Sequence, residues 1–245
     1  MQNKPCDVFF LGTPDFAIPA LEALHSSDLV NVICVVTQED KPAGRGKQLT
    51  PPPIKVKAEE LGIPVFQPKG LSSLEFDAKA EKLSSQKSAG EFAEFFKARP
   101  MLGVSVAYGK IIPQSLIDLP IRGIVNIHPS ILPRWRGAAP IQHALFAGDK
   151  ETGVALMDVD AGLDTGNVYV QKNIPIANTD TFGSLHNTLA KLGADLLIEN
   201  LAQLLDGELK SIPQNNSQTT YANKWEKEDC ILNWQESAEI LDRRI

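Results

Sequence analysis

The chain has 245 residues, with 24 basic and 30 acidic side chains and a formal net charge of −6. A hydrophobic fraction of 43% and a charged fraction of 22% exclude a collagen, a mostly disordered chain and a disulfide miniprotein, and the length suits one or two domains with a buried core. The acidic balance argues against broad nonspecific binding to nucleic acid, while leaving room for a local basic patch.

Val8 to Leu11 is a fully apolar run ending at Gly12-Thr13-Pro14, which predicts a buried strand and a turn. Asp15 is placed to cap a helix through about His25, with Ala17, Leu21 and Leu24 on one face. Val30 to Val36 predicts a second strand, Lys55 to Leu61 a helix and Ile63 to Phe66 a third strand. Between them, Gln38 to Pro53 carries Lys41, Gly44, Arg45, Gly46, Lys47 and three consecutive prolines, and reads as a loop. Ser72 to Pro100, rich in Ser, Lys, Glu and Ala, reads as one or two surface helices. Leu102 to Ala107 and Gly123 to Ile127 predict two more strands, and Val154 to Val159 with Val168 to Ile176 a strand pair. Leu185, Leu189, Leu192, Leu196 and Leu204 mark one face of a long helix that stops at Gly207. Ser211 to Gln218 has the composition of a linker, and Glu236 to Ile245 begins a charged helix without a stop signal, as in a truncated chain or fragment. Strands alternating with helices imply an α/β fold with a mostly parallel sheet flanked by helices, and such sheets present ligands at the carboxyl ends of their strands.

Cys6, Cys34 and Cys230 are odd in number and far apart, which fits neither a disulfide framework nor a zinc knuckle and points to a reducing compartment. No run of about 18 apolar residues offers a membrane span. Asp7 precedes the short apolar run at the start, unlike a secretory signal, so a cytoplasmic location is expected.

The stretch from Asn126 to Ile141, NIHPSILPRWRGAAPI, is the most informative. Asn126 and His128 lie two apart at a strand end and so share a face. An amide can donate to a developing oxyanion, and an imidazole can hold or exchange a proton near neutral pH. Asp164, between Gly162 and Gly166 in the turn of the strand pair, is the chosen partner, since a carboxylate beside an imidazole orients it. The plainer alternative is that these residues cap neighbouring backbone and make a turn. His25, His143 and His186 have no metal-ligand spacing and are expected to face solvent or cap structure, and Trp225 and Trp234 to pack.

With those residues, the chain resembles the folate-dependent formyltransferases. GTPDFA (12–17), KPAGRGK (41–47), RWRGAAPIQ (134–142) and GLDTG (162–166) together resemble the branch that formylates methionyl initiator tRNA. The resemblance implies a Rossmann-like catalytic domain over 1–208, with 209–245 a linker and the start of a truncated C-terminal domain. It implies 10-formyltetrahydrofolate as co-substrate, no metal, initiator Met-tRNA as acceptor, no membrane partner and a monomer. Asn126, His128 and Asp164 become the catalytic trio. Ser130, Ile131, Leu132 and Pro133 sit where the family holds the folate, and Tyr108, Gly109, Ile111 and Ile112 with Asp160 and Leu163 line the pterin pocket. For Ile111 and Ile112 the alternative is packing at a helix start. The resemblance makes Lys41, Arg45 and Lys47 the loop that enters the acceptor stem, where charge alone would suggest a solvated loop. Rival readings are a formyltransferase for an amino sugar or ribonucleotide amine, and a catalytically impaired folate- or tRNA-binding fragment. The Ser72 to Pro100 region is longer than the family pattern leads one to expect.

Overall fold

A computed structural model describes residues 4–43, 46–69, 71, 96 and 99–244. In chain order the elements are β1 (Cys6–Gly12), α1 (Ile18–His25), β2 (Val30–Val36), β3 (Lys41–Ala43), β4 (Gln48–Thr50), α2 (Pro53–Glu60) and β5 (Val65–Phe66). There follow β6 (Leu102–Val106), α3 (Gln114–Ile117), β7 (Ile124–His128), β8 (Arg136–Gly137), α4 (Pro140–Ala147) and β9 (Glu151–Asp158). The chain continues with β10 (Val168–Pro175), α5 (Phe182–Asp206), β11 (Tyr221–Ala222) and α6 (Ala238–Asp242).

Seven strands form the main sheet in the order β10-β9-β7-β6-β1-β2-β5. The five from β7 to β5 run parallel, and β9 and β10 add an antiparallel edge. β1 is central and apolar on both faces, as a parallel strand covered on two sides must be. Its alternation divides the core: Val8 and Phe10 join the cluster that holds α1, α2 and α5, whereas Phe9 and Leu11 join Cys34, Tyr108, Leu116 and Ile117 on the other face. Burial pushes the Cys34 thiol up to about 12, which keeps it protonated and apolar in behaviour.

The chain runs from β1 outward through β2 to β5, then returns across the sheet to β6 and β7. The crevice where that order reverses, between β1 and β6, is the usual ligand position of an open α/β sheet. Thr13 Oγ1, just after β1, donates to the Tyr108 carbonyl, just after β6, at 2.8 Å and ties the two sides of the crevice together.

α5 begins with a reciprocal cap between Thr181 and Ser184 and ends at Gly207, whose φ of 72° is the left-handed conformation that stops a helix at low cost. Its buried leucines cover the sheet. At Gly193 a side chain would strike Ile127, so the missing Cβ lets helix and strand approach.

Several local expectations change. Asp15 does not cap α1: a 3₁₀ turn over Asp15–Ala17 comes first, Ala17 holds the N-cap position, and Pro19 supplies the first-turn preference. The segment read as an irregular loop contains the antiparallel pair β3–β4. The strand expected over Ile63 to Phe66 shrinks to β5, because Pro64 has no amide to donate. Trp234 is 75% exposed, whereas Trp225 packs edge-on to Phe146 at 5.2 Å. The helices expected within Ser72 to Pro100 lie outside the described residues, apart from Phe96, Arg99 and Pro100. Among the described residues, no helix is long and apolar enough to cross a membrane.

Candidate active site

β7 delivers Asn126 and His128 to one face at the carboxyl end of the parallel strands. His128 is 3% exposed, and its Nε2 lies 2.9 Å from the Trp135 carbonyl oxygen. A carbonyl can only accept, so Nε2 carries the proton in this contact and Nδ1 is the nitrogen left for chemistry. Nδ1 lies 3.7 Å from Asp164 Oδ2. The orientation of the imidazole is therefore set by Trp135 rather than by Asp164, whose carboxylate faces Nδ1 across a gap too long for a direct hydrogen bond. Among the described residues, no side-chain hydrogen bond occupies the Asn126 amide.

Asp164 sits in the loop between β9 and β10 at a φ of 50°. Its Oδ2 accepts the Gly137 amide at 2.8 Å, which aims the carboxylate at His128. The flanking Gly162 and Gly166 matter through close approach: a Cβ at either would collide with Thr165 and with the Asp158 carbonyl, respectively. Trp135 has a φ of 62° and Ala107 of 47°, so three of the four described non-glycine residues at positive φ lie at this site. Such conformations persist where surrounding bonds over-determine them.

Those bonds are visible around Trp135. Asp149 accepts Arg134 through Nε at 2.9 Å and Nη2 at 2.7 Å, and the Trp135 indole N–H at 2.7 Å. Burial alone would push the Asp149 carboxyl up, but the hydrogen bonds from Arg134 and Trp135 and the guanidinium charge outweigh it and hold the group below its ordinary value. The Trp135 amide donates to Thr220 Oγ1 at 2.9 Å.

The residues assigned to folate divide. Ser130 is buried, and its hydroxyl donates to the Arg134 carbonyl at 2.7 Å; Leu132 packs with Ala155 and Met157. Ile131 and Pro133 flank them, both half-buried. The Tyr108 ring lies inside the second core cluster, where burial pushes its phenol up to about 12, so that position can offer a ligand only backbone. Gly109 has a φ of 74°, and Ile112 packs partly against the same cluster. Ile111, by contrast, is 90% exposed and Leu163 57% exposed. Packing at a helix start does not account for Ile111. The Asp160 carboxylate accepts Thr165 Oγ1 and the Gly162 amide, and so shapes its own loop.

Lys41 and Lys47 are exposed on and beside the β3–β4 hairpin; Arg45 lies outside the described residues. The root of the hairpin reaches the site, because Gln38 Nε2 donates to the Tyr108 carbonyl at 2.8 Å.

A cavity of about 460 Å³ has Pro14, Phe16, Ala107, Pro129, Ala138 and Ile141 in its wall, Pro129 being the residue after His128. His186 also borders it, its ring 5.2 Å from Phe16 and its Nε2 3.4 Å from Asp15 Oδ1. It is thus neither a solvent-facing nor a capping histidine. Sequence reading also missed Trp135 and Gln214. The first acts through a backbone carbonyl that no residue type signals, and the second lies in a segment with the composition of a linker. Among the described residues there is no cluster of three or more His, Cys, Asp or Glu side chains able to hold a metal ion.

The sequence profile of a family described as formyl transferase matches residues 6–201. The methionyl-tRNA formyltransferase of Halorhodospira halophila is 46% identical over 239 residues, which is 97% of this chain and 71% of that protein. The crystal structure of WlaRD, a sugar 3N-formyl transferase studied with dTDP and 5-N-formyl-THF, superposes with a TM-score of 0.69 at 18% identity, covering 99% of this chain and 78% of the other. A 4-N formyltransferase from Francisella tularensis gives 0.70 at 14% identity, covering 99% and 87%. At such identities the two structures speak for the fold, while the sequence match speaks for the branch: the chain belongs to the methionyl-tRNA formyltransferase family.

Proposed function

We propose that this protein transfers the formyl group of 10-formyltetrahydrofolate to the α-amino group of methionine esterified to initiator tRNA. The observation that carries the reading is the convergence of His128 Nδ1 and Asp164 Oδ2, 3.7 Å apart, beside the unoccupied amide of Asn126. The gap is short enough that a small closure brings imidazole and carboxylate into hydrogen-bond contact.

A free α-amine has a pKa of roughly 8, so a useful neutral fraction exists near pH 7. It attacks the formyl carbon, and negative charge develops on the formyl oxygen. Asn126 donates to that oxygen through its amide, and His128 donates through Nδ1 when both ring nitrogens carry protons. Because Nε2 is committed to Trp135, every proton His128 gains or gives during the reaction passes through Nδ1. Asp164 receives the amine proton, directly or through a bridging water. Collapse of the tetrahedral species breaks the bond to the folate nitrogen, which takes up the proton.

Ile111 and Leu163 supply exposed apolar surface suited to a flat pterin, and the backbone from 130 to 133 borders the folate. Lys41, Arg45 and Lys47 meet phosphates of the acceptor stem. The decisive experiment supplies 10-formyltetrahydrofolate with charged initiator Met-tRNA, an amino-sugar nucleotide or water alone. Formyl-methionyl-tRNA is the expected product. Preferential formylation of the amino sugar, or hydrolysis without transfer to any acceptor, would reject the assignment.

A further inference from the structure

The segment after α5 is woven through the candidate site. Ile212 bridges to Val168, and Tyr221–Ala222 pairs in parallel with Arg136–Gly137. Gln214 is the crossing point. Its Oε1 accepts from the buried Arg136 at 3.0 Å through Nε and at 2.8 Å through Nη2, and Asn216 Oδ1 accepts from the same Nη2 at 2.9 Å. The Gln214 amide nitrogen donates to the Asp164 carbonyl at 2.9 Å and to the Gly166 carbonyl at 2.7 Å. Both ends of one side chain are thereby consumed, one by the loop that carries Trp135 and Gly137, the other by the loop that carries Asp164. Gly137 completes the ring by donating its amide to the Asp164 carboxylate.

We propose that Gln214 is a positioning residue for the reaction, setting the distance between the Asp164 carboxylate and the His128 imidazole by locking their two loops in register. Only an amide does this: Arg136 demands an acceptor, the two carbonyls demand a donor, and both lie within the span of one side chain. Asp164 is held at positive φ, a conformation that relaxes readily once its bonds are cut. Arg136 is 2% exposed, so a replacement without an acceptor would leave this buried guanidinium with Asn216 alone among the described residues, and a variant that keeps the acceptor isolates the contact to Asp164.

Gln214→Glu is that variant. It still accepts from Arg136 but cannot donate to the Asp164 and Gly166 carbonyls. The inference rests on the proposed function, and a cycle with Asp164→Asn separates the two. In formylation of Met-tRNA, Gln214→Glu is expected to lower kcat about tenfold or more, since displacements near 1 Å at a reacting centre cost up to about a hundredfold. The KM for 10-formyltetrahydrofolate should change less than kcat, because only the Leu163 side of the pterin surface shares the displaced loop and the Ile111 side is untouched. Placed on Asp164→Asn, the same substitution should cost little further, as expected of residues acting in one unit.

Wild-type kcat in Gln214→Glu, or an equal additional loss on the Asp164→Asn background, would overturn the positioning role. Asp164→Asn with undiminished turnover would instead defeat the functional reading itself. If the glutamate lowers the melting temperature sharply, Gln214→Asn takes its place. It keeps both chemistries but is one methylene too short to reach both loops, and it is judged by the same cycle.

Discussion

His128 and Asp164 face one another through Nδ1 and Oδ2 at 3.7 Å, while the opposite ring nitrogen is bonded to the Trp135 carbonyl at 2.9 Å. The imidazole is thus anchored on one side and meets the carboxylate on the other. Either His128→Ala or Asp164→Asn should lower turnover at least about a hundredfold while leaving folate binding within about threefold. Near-normal single-turnover rates in either variant would remove these residues from the chemistry.

Asp149 holds the loop that presents the Trp135 carbonyl. Its carboxyl is lowered in the folded protein relative to the unfolded chain, so its ionisation contributes stability above the unfolded value of about 4. That contribution is lost as pH falls toward the folded-state value. Urea titrations from pH 7 down to 3 should show Asp149→Asn less stable than the parent at pH 7 and the two converging at the acid end. A constant difference across that range would place the effect elsewhere.

Gly137 has a φ of 118°, and a Cβ there would stand 2.7 Å from the Ala222 carbonyl oxygen. Gly137→Ala should destabilise the fold by about 2 kcal/mol. Because the same amide aims Asp164, turnover should fall by more than the loss of folded protein explains. Activity per folded molecule, taken from a calorimetric folded fraction, decides it.

Ile111 and Leu163 are apolar and exposed without serving the core. Replacing either with Ser removes apolar area that the pterin would cover, at about 1.5 kcal/mol each, or roughly a tenfold rise in folate dissociation constant. Fluorescence titration with a folate analogue measures it. Unchanged affinity in both variants would move the pterin elsewhere.

Arg45→Ala should raise the KM for Met-tRNA and weaken its salt dependence, with folate affinity unchanged. Equal losses for tRNA and folate would contradict a role confined to the acceptor stem.

The main architecture was legible because it is written locally. Apolar runs such as Val30–Val36 and the leucine period of α5 name their elements, and the two-residue spacing of Asn126 and His128 fixes a shared face. The corrections concern relationships the chain makes over long distances. Gln214 bonds to residues 50 and 78 positions away, and nothing in its neighbours distinguishes it from linker composition. The hairpin β3–β4 was hidden because Pro42 and Gly46 read as breakers, yet Lys41 and Thr50 still pair. His186 was discounted for want of metal-ligand spacing, although its partners are Asp15 and two phenylalanines rather than an ion.

The parallel pairing of Tyr221–Ala222 with Arg136–Gly137 also bears on how this unit could be excised or grafted. A cut just past the long helix would look clean from the outside, yet it would unstitch the seam on which the carboxylate hangs. Any minimal version built for fusion or recombination must therefore carry its sequence through at least Ala222 to keep Asp164 facing His128.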